Sequence, residues 1–214
     1  MRNLELENSL TSGDPIADKN RARFDARGVF AINLVGPPGS GKTTLLEALI
    51  RDHHAALAPC VIVNDASGRT DADRVAALGV PMARVTTEGT RNLDASLIAS
   101  AIDYEFPSTD ATLLIENDVE WTAAGNDLGE HIRLAVWSVS AGSDELAKPA
   151  AALRRCQILA ISQVDLLGEC EFDLQRVRHA MARYAPAATV APVSAATGEG
   201  VTELAAKILS LRWA

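Results

Sequence analysis

Two glycines, a lysine and a threonine stand at the spacing of a phosphate-binding loop. The stretch reads Gly36-Pro37-Pro38-Gly39-Ser40-Gly41-Lys42-Thr43-Thr44. Such a loop aims successive backbone N–H groups at one anion, and its glycines permit the tight turn. The lysine ammonium then reaches the outer phosphates, and the threonine hydroxyl can bind Mg²⁺. Residues 36–44 therefore predict a binding site for a nucleoside triphosphate.

The segments on either side of this loop are those that the motif requires. Residues 29–35 form a continuous apolar run, which is typical of a buried strand. Residues 44–50 follow with the pattern of a helix, whose positive N-terminus would face the phosphates. A chance glycine-rich turn would not have both neighbours in place, so we interpret the stretch as a functional phosphate loop.

Apolar runs alternate with helical patterns along the rest of the chain. Strands are predicted at 60–65, 80–86, 111–117, 132–139, 158–161 and 189–193, and helices at 20–27, 71–78, 93–102, 145–154, 172–184 and 201–211. This alternation predicts an α/β fold, with a mainly parallel sheet covered by helices on both faces. We expect one P-loop NTPase domain over residues 20–214, preceded by a mobile polar tail over residues 1–19.

Ligands of such sheets bind at the carboxyl ends of the strands. Asp65 and Glu116 each end an apolar run, so both are predicted to complete the Mg²⁺ shell or to orient the attacking water. The predicted catalytic residues are Lys42, Asp65 and Glu116, and the predicted Mg²⁺ ligands are Thr43, Asp65 and Glu116.

A candidate base-binding loop follows the predicted strand at 158–161. Ser162-Gln163-Val164-Asp165 lies where a guanine-reading Asn-Lys-x-Asp is expected. The Asp165 carboxylate can accept two hydrogen bonds from the N–H edge of guanine, which adenine does not offer. Gln163 and Ser162 replace the lysine that would pack on the base and the asparagine that would brace the loop. With Ser194-Ala195 as a second base-contacting loop, the pattern favours GTP but leaves ATP or a broad specificity open.

Composition narrows the classes of partner. The net charge is −8, with 28 acidic and 20 basic residues, which argues against nucleic acid or an anionic membrane as a partner. Three cysteines without framework spacing suggest a reducing compartment. The sequence shows neither a signal-peptide pattern nor an apolar run of membrane-spanning length. These features predict a cytoplasmic protein.

Several further motifs follow one another along the chain. They are Asn20-Arg21, the phosphate loop, Asp71-Ala72-Asp73-Arg74, Leu93-Asp94-Ala95, Ile115-Glu116-Asn117, Asp127-Leu128-Gly129-Glu130 and Ser138-Val139. In order and spacing this set resembles HypB, the GTPase of [NiFe]-hydrogenase maturation. The resemblance implies a SIMIBI-like GTPase that dimerises, uses GTP and Mg²⁺, and works with a partner to deliver metal to an enzyme.

The chain departs from the family pattern at the metal-binding positions. Arg91-Asn92 stand where the family has Cys-His, and residues 118–126 contain no cysteine. Because soft thiolate and imidazole ligands select Ni²⁺ and Zn²⁺, we predict no tight site for either and Mg²⁺ as the functional metal. Glu145 replaces a lysine, which questions the implied dimer contact. The remaining candidate ligands are scattered, namely His53, His54, His131, His179, Cys60, Cys156 and Cys170. A nucleotide-binding scaffold with negligible turnover is the alternative.

Overall fold

The computed structural model describes residues 14–64, 70–85, 93–102, 110–118, 126–147 and 153–212. The strands are β1 (Phe30–Gly36), β2 (Pro59–Asn64), β3 (Met82–Val85), β4 (Thr112–Asp118), β5 (Ile132–Ser138), β6 (Ile158–Ser162) and β7 (Thr189–Pro192). The helices are α1 (Pro15–Ala26), α2 (Lys42–Leu57), α3 (Thr70–Ala76), α4 (Ala95–Ile102), α5 (Leu174–Tyr184) and α6 (Val201–Arg212). Short 3₁₀ turns cover Val139–Ala141, Asp144–Ala147 and Val164–Leu166.

The strands form one seven-stranded sheet in the order β3-β2-β4-β1-β5-β6-β7. Every pairing in it is parallel. β1, which leads into the phosphate loop, lies between β4 and β5, so the loop emerges at the middle of the carboxyl edge. β7 is an edge strand, where Pro192 removes no hydrogen bond from the centre of the sheet. The predicted parallel α/β fold is confirmed.

Helices cover both faces of the sheet because side chains alternate along each strand. Ile32 and Leu34 of β1 belong to the core under α2, α3 and α6, whereas Ala31 faces the core under α1 and α4. A third cluster packs α5 against the outer part of the same second face, through Ala135 of β5 and Leu159 of β6. This packing confirms the prediction that both faces are covered.

Helix α1 begins earlier than predicted. Asp14 caps it by accepting a hydrogen bond from the Ile16 N–H at 2.9 Å, and Pro15 occupies the first turn. Residues 15–19 fall in the segment predicted as a polar tail, which carries Pro15 and several acids. Proline is favoured at the first position of a helix, where its missing N–H costs nothing. Ala17 and Phe24 are buried, so the first turn of α1 belongs to the folded domain.

Two other predictions are changed or left open. Of the helix predicted at 145–154, Asp144–Ala147 form a 3₁₀ turn, residue 153 is helical and residues 154–155 form a turn, while residues 148–152 lie outside the described ranges. Within the described ranges, no helix is long and apolar enough to cross a membrane. The cytoplasmic location stays a prediction.

Candidate nucleotide site

The phosphate loop is shaped by two glycines whose replacement would cause a close contact at one and backbone strain at the other. A Cβ on Gly36, at the end of β1, would lie 2.7 Å from the Val136 carbonyl oxygen and 2.8 Å from Ser40 Oγ. Gly41 has φ +86°, in the left-handed region, and directly precedes the first residue of α2. The loop therefore turns from strand to helix as its sequence predicts.

Lys42 lies over the loop and is almost fully buried. Its Nζ donates to the Pro37 carbonyl oxygen at 2.9 Å and pairs with Asp118 Oδ1 at 2.6 Å. Asp118, the last residue of β4, was absent from the predicted site. It lies two residues after Glu116, and this spacing places both carboxylates on one face of a strand. That spacing is the signal that could have revealed it.

Thr43 and Glu116 are in direct contact. Thr43 Oγ1 donates to Glu116 Oε1, and Glu116 Oε2 is buried without a hydrogen-bond partner among the described residues. Burial raises the pKa of Glu116 to about 7, although the Thr43 hydroxyl and the Lys42 charge act in the opposite direction. A hydroxyl beside a carboxylate oxygen with no partner is a donor set suited to Mg²⁺. These residues therefore fit the metal that the motif implies.

Ser162 braces the phosphate loop. Its hydroxyl donates to the Ser40 carbonyl oxygen at 2.6 Å, so serine makes the kind of bracing contact that the sequence analysis associated with asparagine. Gln163 adopts a left-handed backbone with φ +61°. Its Oε1 accepts from the Ser138 hydroxyl at the end of β5. Ser162 and Gln163, the first two residues of the candidate base-binding loop, thus lie directly against the phosphate loop.

The two candidate base loops lie side by side at the ends of β6 and β7. Asp165 is exposed in the 3₁₀ turn Val164–Leu166, and the Val164 N–H donates to the Val193 carbonyl oxygen at 3.3 Å. Ser194 follows Val193 and is fully buried, with its Oγ accepting from the Thr197 N–H at 3.2 Å. The fold therefore brings the predicted base-binding residues to the edge that carries the phosphate loop, namely Gln163, Asp165, Ser194 and Ala195.

The remaining predicted residues either lie outside the described part of the chain or are exposed. Asp65, Arg91 and Asn92 lie outside the described residues, as does the side chain of Glu145. Thr44 is exposed, and its hydroxyl accepts from Arg74 Nη2 at 3.3 Å. Among the described residues, no group of three or more His, Cys, Asp or Glu side chains could hold a metal ion. The prediction about Ni²⁺ and Zn²⁺ stays a prediction.

The cysteines and histidines are dispersed through the fold. Burial raises the pKa of both the Cys60 and the Cys156 thiol to about 12, and Cys170 is partly exposed. His131 Nδ1 accepts from the Ala31 N–H at 2.8 Å, and its Nε2 lies 2.9 Å from Asp25 Oδ1. His131 therefore joins α1 to the amino end of the sheet.

A second set of motif residues secures α1 at the amino end of the sheet. Asn20 Nδ2 donates to the Ala95 carbonyl oxygen at 2.8 Å and to the Leu128 carbonyl oxygen at 3.0 Å. Gly129 has φ +91°, and a Cβ there would lie 2.5 Å from the Ala17 carbonyl oxygen. Close approach of α1 therefore requires glycine at position 129.

Glu130 and Arg133 complete this arrangement as a buried ion pair. Arg133 Nη2 lies 2.7 Å from Glu130 Oε1, and Asn33 Nδ2 donates to the same oxygen at 3.2 Å. Glu130 Oε2 accepts from the Leu128 N–H at 2.7 Å. The motif Asp127-Leu128-Gly129-Glu130 thus joins α1, β1 and β5, at the edge opposite the phosphate loop.

Comparison with known proteins supports the family resemblance that the sequence motifs indicate. The model of the CobW/HypB/UreG nucleotide-binding domain matches residues 30–92. The hydrogenase maturation factor HypB of Escherichia coli K12 is 35% identical over 206 residues, which cover 94% of this chain and 70% of that protein. This chain belongs to the HypB family. The HypB of Azotobacter chroococcum is 36% identical, and the match covers 91% of this chain and 64% of its own length.

Solved structures extend the likeness to the whole fold. Crystalline HypB from Helicobacter pylori, in complex with nickel, has a TM-score of 0.86 at 26% identity, covering 92% of this chain and 94% of that one. HypB from Archaeoglobus fulgidus has a TM-score of 0.84 at 27% identity, covering 92% of this chain and 97% of that one. The signal recognition particle receptor FtsY of Elizabethkingia anophelis, at 18% identity and a TM-score of 0.54, shares the fold alone. The predicted family resemblance is confirmed.

Proposed function

We propose that this HypB-family chain binds GTP with Mg²⁺, hydrolyses it slowly and thereby serves as an accessory protein in the maturation of a metalloenzyme, namely a [NiFe]-hydrogenase. The observation that carries the proposal is the contact between Thr43 and Glu116 beside Lys42. It places a hydroxyl, a carboxylate and an ammonium at the mouth of one phosphate loop. Membership of a family of hydrogenase maturation factors supports the accessory role.

Each part of the site has a role in phosphoryl transfer. The N–H groups of the loop and the N-terminus of α2 bind the phosphates, and Lys42 contacts the outer ones. Thr43 and Glu116 would hold Mg²⁺, which neutralises charge on the β- and γ-phosphates when bound. Because phosphoryl transfer needs mainly positioning and charge stabilisation, Glu116 or Asp65 suffices to orient the attacking water.

The first test removes the Lys42 ammonium. Lys42→Ala should lower GTP affinity at least about 100-fold, because the outer phosphates lose their only cationic side chain in the motif. The exposed Lys19 of α1 provides the control, and Lys19→Ala should bind as the unchanged protein does. Titration calorimetry measures affinity, and circular dichroism confirms the fold. Unchanged affinity in folded Lys42→Ala protein would refute the phosphate-site assignment.

The second test concerns the base. Asp165→Asn should shift preference from GTP toward XTP, since an amide NH₂ can donate to the xanthine 2-oxo group. Glu169→Gln, a nearby exposed carboxylate, should leave the ranking of GTP, ATP and XTP unchanged. An unaltered ranking in Asp165→Asn would place the base elsewhere and favour the ATP or broad-specificity alternative. Phosphate release at background level would favour the scaffold alternative.

The third test concerns transition metals and assembly. Because Arg91 and Asn92 offer no soft ligand, we propose that no tight Ni²⁺ or Zn²⁺ site exists there. Calorimetry with each ion, with and without GTP and Mg²⁺, checks this. A submicromolar site that disappears on changing Arg91 or Asn92 would return the chain to the metal-delivering class. Light scattering with and without nucleotide tests the proposed homodimer, whose contact Glu145 puts in question.

A further inference from the structure

We propose that Asp118 sets the nucleotide affinity of this site, because its carboxylate binds Lys42 where the outer phosphates must bind. The inference rests on the proposed nucleotide-binding function. Lys42 Nζ and Asp118 Oδ1 are 2.6 Å apart. The Lys42 side chain is 4% exposed, whereas the Asp118 side chain is 20% exposed. The lysine is therefore fixed in place, and the carboxylate is the partner that can leave toward solvent.

The geometry of β4 directs Asp118 at the phosphate loop. Leu114, Glu116 and Asp118 alternate along the strand on the face that α2 covers. Asp118 pairs in register with Gly36, the first residue of the loop. Glu116 meets Thr43, and Asp118 meets Lys42, the residue directly before it. One strand thus presents a carboxylate to each of the two side chains that the loop offers to a ligand.

The chemistry of the contact resembles that of the ligand. A carboxylate oxygen and a phosphate oxygen both accept charge-assisted hydrogen bonds from an ammonium. Lys42 Nζ also donates to the Pro37 carbonyl oxygen at 2.9 Å, so a second contact keeps the ammonium over the loop when Asp118 leaves it. Outer phosphates that approach Lys42 meet the negative charge of Asp118 at close range. Asp118 therefore opposes binding, and it opposes a triphosphate more than a diphosphate.

The experiment compares Asp118→Asn with the unchanged chain. Titration calorimetry measures the affinities for a non-hydrolysable GTP analogue and for GDP, both with Mg²⁺. We expect the analogue to bind about tenfold more tightly to Asp118→Asn, which is the order of a screened repulsion between neighbouring like charges. The gain for GDP should be smaller, since GDP lacks the γ-phosphate. A structural role alone would not change the ratio of the two affinities.

Two further variants make the result specific to the Asp118 carboxylate. Asp118→Glu keeps the charge, so its affinities should stay near those of the unchanged chain. Asp18→Asn removes the same charge from the exposed first turn of α1 and should change neither affinity. If Asp118→Asn does not fold, Asp118→Ser replaces it, with the same expected gain.

The outcomes separate this inference from the proposed function. Equal affinities in Asp118→Asn and the unchanged chain would overturn the inference and leave the proposed function standing. Weaker binding of the Mg²⁺ complex to Asp118→Asn would also overturn it, because Asp118 would then assist metal binding. Failure of both proteins to bind any guanine nucleotide would overturn the inference and the proposed function together.

Discussion

Glu116 and Glu130 are both buried glutamates, yet their surroundings differ. Glu130, at the amino edge of the sheet, has both oxygens hydrogen-bonded and a guanidinium at 2.7 Å. Glu116, near the carboxyl edge, has one oxygen on a threonine hydroxyl and one without a partner among the described residues. A satisfied buried charge stabilises one conformation, whereas an unsatisfied one is suited to a ligand. The comparison distinguishes the structural motif from the functional one.

The side chains around each glutamate extend the contrast. A cleft of about 240 Å³ at the amino edge is lined by charged groups that include Arg21, Asp127 and Arg155. Burial acts to raise the pKa of Asp127, but the Gly129 N–H and the two arginines together bring that pKa below its usual value. At the amino edge, the positive and negative side chains therefore neutralise one another within the chain. At the carboxyl edge, Lys42 and Asp118 form the pair that a nucleotide would have to separate.

The largest expected effect is at the amino edge. Arg133→Met should lower the free energy of unfolding by about 3–5 kcal/mol, because it leaves Glu130 buried without its cation. Nucleotide affinity of the folded protein should not change. Urea denaturation measures the loss, and the double variant Glu130→Gln/Arg133→Met should lose less than half as much. A loss below about 1 kcal/mol in the single variant would remove the contrast with Glu116.

An intermediate effect is expected at Glu116 and depends on pH. Because the pKa of Glu116 is raised to about 7 in the fold, its protonated form stabilises the nucleotide-free protein. That contribution is complete below pH of about 4.5 and is lost as the pH rises through about 7, with a total of up to about 3 kcal/mol.

Glu116→Gln removes this titration and is the matched control. Between pH 5 and pH 8 the nucleotide-free wild-type chain should therefore lose more stability than the variant, as measured by urea denaturation at each pH. The remaining ionisable groups are the same in both proteins, so their contributions cancel in the comparison. Parallel curves for the two proteins would mean that Glu116 is already ionised in the fold.

The smallest expected effect concerns the hydrogen bond from Ser162, in the candidate base-binding loop, to Ser40 in the phosphate loop. Ser162→Ala removes the hydrogen bond to the Ser40 carbonyl oxygen and should cost about 1 kcal/mol of stability. GTP affinity should fall several-fold, since the phosphate loop loses a contact that orders it. Ser210→Ala, which removes an exposed hydroxyl bonded to the Lys207 carbonyl oxygen, is the control. Equal effects of the two changes on affinity would show that Ser162 does not act on the loop.

Much of the carboxyl edge could be predicted from the sequence because local patterns determine it. Gly36 and Gly41 permit the tight turn of one short loop, and the continuous apolar run before them has the length and composition of a buried strand. The edge position of β7 agrees with Pro192, whose missing N–H is a local property that disfavours the centre of a sheet. The order and spacing of the sequence motifs indicated the HypB family, and the comparisons with known proteins confirm that family.

What the sequence did not predict depends on contacts between distant segments. Asp118 is an ordinary acid until β4 pairs with β1 and brings it to Lys42. Gly129 and Glu130 were recognised as motif residues, but their roles appear only when α1 packs against them. A 3₁₀ turn at Asp144–Ala147 stands where the start of a helix was predicted, because propensity alone does not reveal where tertiary packing begins an element.

Because the three cysteines differ in burial, only one of them is accessible to a thiol-reactive label. At neutral pH the thiols of Cys60 and Cys156 stay protonated, since burial raises their pKa to about 12, and their burial keeps electrophiles away. Cys170 is partly exposed, just beyond the turn that carries Asp165. A maleimide dye should therefore modify the native chain once, beside the base loops. Nucleotide exchange could then be followed by fluorescence in the wild-type sequence.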